Sequence, residues 1–140
     1  MRVLMLSWEY PPRIVGGISR VVHDLAQNLA LKGDEVHVFT CWEEGNKELE
    51  IDKQVYVHRV HPAEISAMNF VDWVLQLNYA MIEEVIRTIN KLGKFDIIHA
   101  HDWLVAFAAK TLKHAYDIPL VSTIHATEYG RNWGLHNETQ

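Results

Sequence analysis

Apolar residues recur along this chain in two rhythms that take turns. Short, largely apolar runs (Arg2 to Ser7, Glu35 to Thr40, Gln54 to Val60, Phe95 to Ala100 and Pro119 to Ile124) alternate with longer stretches whose apolar positions fall three and four apart. The short runs have the length and β-branched content of strands, and the long ones have the period of amphipathic helices. Ile18, Val21, Val22, Leu25, Ala26, Leu29 and Ala30 mark a first helix that Gly33 ends. Phe70, Trp73, Val74, Leu77, Met81, Val85 and Ile89 make the stripe of a long helix, Met68 to Leu92, capped by Gly93. Leu104, Phe107, Ala108, Thr111, Leu112 and Ala115 share one face of a third. The polar segment Glu43 to Lys53 reads as a loop, and after His125 the periodicity stops.

Strands of this kind separated by amphipathic helices predict a parallel sheet covered on both faces. Right-handed crossovers favour a Rossmann-like, doubly wound α/β sheet of five strands in the order 3-2-1-4-5. In that order the chain reverses across the sheet between the first and fourth strands, and ligands of such folds bind there, outside the carboxyl ends. The loops meeting at the switch point are Trp8 to Gly17 and His101 to Trp103, with His125 to Arg131 beside them.

Composition narrows the function classes. The 140 residues fit one domain, residues 1–140, with a sizeable core. Net charge is −5 and the basic residues are scattered, which argues against binding nucleic acid or an anionic membrane. The lone Cys41 excludes an internal disulfide framework and fits a reducing compartment. The first strand starts too early to leave room for a cleavable leader, and charged or amide residues break every apolar stretch. A soluble, cytoplasmic domain without a membrane span is expected.

The candidate chemistry gathers at the switch point. Gly16-Gly17 stands between the first strand and first helix, where unpaired N–H groups and the positive end of the dipole would favour an anion, commonly phosphate. Glycines there let backbone approach a ligand closely, although a ligand-free tight turn uses the same residues. No Gly-x-Gly-x-x-Gly and no Walker lysine are present, which weakens dehydrogenase and ATPase readings.

His99 and His101 sit two apart at a strand end and share one side of the sheet. A metal reading would need His125 or Asp102 as third ligand; His99 alone suits a core histidine, and His101 suits a ligand contact in the cleft. Asp102 serves equally as the N-cap of the next helix or as a site residue, and Trp103 as packing. Around His125 runs a polar, aromatic-bearing loop, His125 to Arg131, that fits hydroxyl-rich ligands. Glu9 and Glu128 are the nearby carboxylates, and nothing pairs them as acid and base.

Four ordered motifs then point to one family. Ser7-Trp8-Glu9-Tyr10-Pro11-Pro12, Gly16-Gly17-Ile18, His99-Ala100-His101-Asp102-Trp103 and Thr123-Ile124-His125-Ala126-Thr127-Glu128 resemble the amino-terminal domain of retaining GT-B glycosyltransferases of the glycogen/starch synthase and sucrose-synthase-like type. The resemblance implies two Rossmann-like domains with a cleft between them, of which this chain matches the acceptor-side one and lacks the carboxy-terminal donor-binding one. It implies a nucleotide-sugar donor such as ADP- or UDP-glucose and a glucan or other sugar acceptor, with no metal and no cofactor. Gly16 and Gly17 would lie against the donor diphosphate, His101 would contact the transferred sugar as the catalytic residue, and Glu9, Arg13, Asp102, His125 and Glu128 would line the cleft. Front-face attack, with the leaving phosphate taking the acceptor proton, would account for the missing acid/base pair. Two positions depart from the glycogen synthase pattern: Ile14 stands where lysine is usual, and Leu104 where a third histidine is usual.

The isolated chain is expected to be inactive, and its fifth strand, with Ile118, Leu120, Val121 and Ile124, to be an open edge that invites dimerisation. The alternatives are a free-standing flavodoxin-like module for phosphate or small molecules and a protein-interaction domain.

Overall fold

The computed structural model describes residues 1–62 and 69–125. Strand β1 (Arg2–Leu6) leads through the glycine loop into helix α1 (Ile18–Leu31), followed by β2 (Glu35–Cys41), β3 (Leu49–Asp52) and β4 (Val55–Val60). Helix α2 (Phe70–Leu92) precedes β5 (Ile97–His101), a 3-10 turn over Trp103–Val105, α3 (Ala106–Tyr116) and β6 (Leu120–Thr123). The sheet order is β3-β4-β2-β1-β5-β6. Its parallel part follows the expected order, but among the described residues the sheet has six strands rather than five. The addition is β3, which runs antiparallel to β4 at the edge and arises inside the segment expected to be a loop. Its residues alternate between exposed and half-buried, so it buries too little apolar surface to stand out from its polar surroundings.

Side-chain alternation along the strands divides the core in two. Leu4, Leu6, Phe39, Cys41, Val60, Ile98 and Ala100 meet α2 and α3 on one face. Val3, Met5, Val36, Val38, Val55 and Val57 meet α1 on the other. Ile97 joins the α1-side core, and strand periodicity puts His99 and His101 on that side too. The helices bury most of the stripes that their spacing predicts, but on α3 Phe107, Thr111 and Ala115 are exposed, and two residues at helix starts are exposed as well. Phe70 on α2 is 52% exposed and Val21 on α1 is 46% exposed, and both stand toward the carboxyl ends of the strands. Ile118, expected at the open edge, is instead buried against α3, leaving Val121 and Ile124 exposed there.

The helix boundaries have local causes. The Asn69 side chain accepts from the Asp72 amide, capping α2, and the positive φ of Gly93 ends it. Within α2, buried Asn78 donates through Nδ2 to the carbonyls of Val74 and Leu104 and accepts at Oδ1 from the Ala108 amide. One side chain thus ties α2 to the turn and helix that follow β5. Among the described residues no helix is long and apolar enough to cross a membrane.

Candidate functional site

At the carboxyl ends of β1 and β5 lies a hollow of about 470 Å³, walled by Glu9, Val15, Gly16, Gly17, Ile18, Val21, Phe70, Asp102, Trp103, Leu104 and His125. It occupies the switch point anticipated from strand order.

Its first wall is the glycine loop, and Glu9 holds that loop in place. The Glu9 carboxylate is fully buried and accepts from the amides of Val15 (2.9 Å), Gly16 (3.2 Å) and Ser19 (2.8 Å). The Ser7 hydroxyl donates to the Glu9 carbonyl at 2.7 Å, anchoring the same turn to β1. The sequence reading leaves the amides ahead of α1 for an external anion, whereas here an internal carboxylate takes several of them. The Gly17 amide is not one of these. Neither glycine adopts a left-handed conformation, and a Cβ built on either would meet nothing within 4 Å. Neither backbone strain nor internal packing accounts for glycine at these positions; what they leave is room at the surface.

The floor comes from β5 and β6. His101 is fully buried, with Nδ1 3.2 Å from His125 Nε2 and its ring 4.1 Å from that of His99. Among the described residues, Nε2 of His101 has no hydrogen-bond partner. Burial, helped by the adjacent His99 and His125, pushes the His101 pKa down to about 3. His99 bonds the Thr123 hydroxyl at 2.7 Å, and burial lowers its pKa as well, with a smaller effect from His125. His125 is the imidazole that faces the hollow, with His101 enclosed behind it. Three ring nitrogens, Nε2 of His99, Nδ1 of His101 and Nε2 of His125, are taken by these hydrogen bonds, and among the described residues no three His, Cys, Asp or Glu side chains form a metal-holding group.

Asp102 closes β5 with φ 65 and ψ −177, a conformation that costs an L residue about 1–3 kcal/mol. Its amide donates to the Thr123 carbonyl, and its Oδ1 accepts from the Trp103 amide at 2.9 Å. The N-cap role weighed from sequence is therefore real, and the residue also lines the hollow.

Opposite the glycine loop stands an aromatic wall that the sequence reading treated as core and packing. Phe70 stacks on Trp73 (centroids 5.8 Å, 15° between planes) and meets Trp8 and Trp103 edge to face at 6.3 Å. Arg13, read from sequence as a cleft residue, lies behind this wall, its guanidinium 5.7 Å from the Trp8 ring and 5.6 Å from that of Trp73. Glu128 lies outside the described residues. Structure thus brings together Glu9, Gly16, Gly17, Asp102 and His125, puts His101 one layer behind, and sets Arg13 apart.

A second hollow, of about 590 Å³, opens between α2 and the β2–β4 edge. His37 and His58 pair there at 2.8 Å within a stack that includes Tyr56 and Phe39. Burial pushes His58 down to about 3, helped by His37, and lowers His37 too. The second hollow lies at the side of the sheet, away from the switch point.

Residues 15–139 match the family Glycosyltransferase Family 4. Over 148 aligned residues the chain is 41% identical to a glycogen synthase of Mycobacterium tuberculosis, covering 96% of this chain and 36% of that protein. It is also 41% identical over 140 residues to a glycosyltransferase of Methanocaldococcus jannaschii, covering 99% of this chain and 34% of that one. The chain therefore spans about a third of the length of these relatives. Among solved structures, sucrose-phosphate synthase of Thermosynechococcus elongatus superposes with a TM-score of 0.81 over 99% of this chain and 36% of that one, at 17% identity. Starch synthase IV of Arabidopsis thaliana, bound to ADP and acarbose, gives 0.69 over 89% of this chain and 34% of that one, at 18% identity. These two likenesses show the shared fold.

Proposed function

The chain belongs to Glycosyltransferase Family 4, and we propose that it forms the amino-terminal, acceptor-side half of a retaining hexosyltransferase. The donor in this reading is a nucleotide-sugar such as ADP- or UDP-glucose, and the acceptor a glucan or other sugar. One observation carries it: open glycines, the imidazole of His125 backed by His101, and the carboxylate of Asp102 meet at one hollow at the switch point.

The donor diphosphate lies against Gly17, where no Cβ blocks the approach and the α1 dipole still favours negative charge. Glu9 serves by fixing the loop. The imidazole pair contacts the transferred sugar, through His125 at the surface and His101 behind it. Because burial keeps His101 neutral at physiological pH, it orients by hydrogen bonding and brings no charge. The bond from the anomeric carbon to the phosphate oxygen breaks as the acceptor oxygen bonds that carbon on the same face. The acceptor proton passes to the departing phosphate oxygen, so no side-chain base is required. A carboxy-terminal donor-binding domain supplies the remaining groups, no metal or cofactor takes part, and the setting is cytoplasmic. In the isolated chain, the β6 edge at Val121 and Ile124 offers a second copy a strand to pair with; light scattering that finds only monomer at high concentration would remove this last point.

Calorimetric titration of ADP, UDP and their glucose conjugates, with transfer assays on protein carrying both halves, tests the reading. Turnover is expected with one of the donors, and its absence with both would overturn the proposal. The 140-residue chain alone is expected to show negligible transfer, since half of the transition-state contacts are missing.

A further inference from the structure

We propose that Phe70 and Trp103 form an aromatic subsite that takes the apolar face of an uncharged acceptor sugar and disfavours a phosphorylated one. The inference rests on the transferase reading above and adds the acceptor's place in this hollow and its chemical class.

Two observations carry it. Phe70 is 52% and Trp103 39% exposed, and their rings meet at 6.3 Å and 76°, making an open corner in the hollow's wall. Large rings left in contact with water lose the benefit of burial, so an occupant that covers them gains it. A pyranose ring carries C–H groups on its faces and hydroxyls around its rim. Its C–H face suits the negative π-face of an aromatic ring, and its hydroxyls suit Asp102 and His125 alongside. The second observation is charge. Among the described residues, neither lysine nor arginine lines the hollow, while Glu9 and Asp102 do. Arg13 lies against Trp8 and Trp73, outside the lining, and Arg20 lines a neighbouring hollow beyond the glycines. A phosphate group on the acceptor would be desolvated there without a partner, which is costly. The donor diphosphate avoids this cost by lying at the α1 end, against Gly17.

The test uses protein carrying both halves, with maltotriose as the neutral probe and glucose 6-phosphate as the charged one. Phe70→Ala should raise the acceptor KM for maltotriose about 3- to 10-fold with the donor KM unchanged, and Phe70→Tyr should restore it. Maltotriose should also perturb tryptophan fluorescence in the wild type and do so more weakly in Trp103→Phe. Transfer to maltotriose that ignores Phe70→Ala, or a preference for glucose 6-phosphate, would overturn the subsite and leave the transferase reading intact. Fluorescence binding that depends on Phe70, in a protein that transfers nothing, would support the subsite and sink the transferase reading. Absence of maltotriose binding in the wild type overturns the subsite.

Discussion

The two hollows hold similar chemistry in different surroundings. Each is backed by a pair of imidazoles joined nitrogen to nitrogen, at 3.2 Å for His101–His125 and 2.8 Å for His37–His58, and each pair has one histidine pushed down to about 3. Beside α2, Glu84 pairs with Arg87 and Glu48 with His61, while Nε2 of His37, like that of His101, has no hydrogen-bond partner among the described residues. At the switch point, the glycine loop, the exposed rings and His125 face outward. The larger hollow is the chemically quieter one. Volume, a perturbed histidine and an unpartnered ring nitrogen do not identify a site, since both hollows have them; open glycines and exposed rings at the strand ends set the switch point apart.

The sharpest way to break this contrast is a pair of alanine substitutions in protein carrying both halves. His101→Ala should lower kcat roughly 10²-fold or more, the scale of losing one preorganised contact, with little change in donor affinity. His58→Ala should leave kcat per folded molecule unchanged and cost about 1–3 kcal/mol in urea unfolding, because it strands a buried His37 nitrogen. Equal loss of turnover in both would erase the distinction.

Acid probes what the two hollows have in common. The folded state holds His101 and His58 neutral, while the unfolded chain protonates them near the ordinary histidine value. Stability should be full above that value and decline as pH falls from about 6.5 toward about 3, by up to roughly 1.4 kcal/mol per pH unit for each group. A urea midpoint that stays flat between pH 7 and about 4 would contradict the burial of both.

Two smaller changes act on the switch-point hollow alone. Glu9→Gln replaces a two-oxygen acceptor with one oxygen and an NH₂ that confronts loop amides. It should cost about 1–3 kcal/mol in stability, measured by thermal unfolding, and raise the donor KM. Gly17→Val meets nothing in the folded chain, so it should cost at most about 1 kcal/mol of stability. Its effect should appear in calorimetric donor affinity, because the branched side chain occupies the space where diphosphate would lie.

The order of the five parallel strands was legible because apolar runs and helical stripes differ in period and length. Strand β3 was not, since Leu49-Glu50-Ile51-Asp52 is short and half polar. Its turn into β4 gives Lys53 a φ of 52 without the glycine or asparagine that signals a hairpin. Periodicity also assigned Phe70 to the core correctly by phase and wrongly by depth. The first turn of α2 overruns the sheet, and phase says nothing about where the layer beneath ends. The site's location was legible from topology and its motifs, including Glu9 near the cleft. What Glu9 does was not, because a carboxylate folding back onto amides six, seven and ten residues later depends on the loop's path.

Asn78 has a consequence for that site which its burial does not announce. Phe70 begins α2 and Trp103 begins the turn after β5, two elements that could otherwise shift independently. By holding Leu104 and Ala108 from the middle of α2, Asn78 couples the two elements. A guest entering the aromatic corner finds its walls already set, and little ordering entropy is charged against its affinity. The same stiffness sets a limit: a corner that cannot widen selects its sugar by shape and forgoes adapting to a different one.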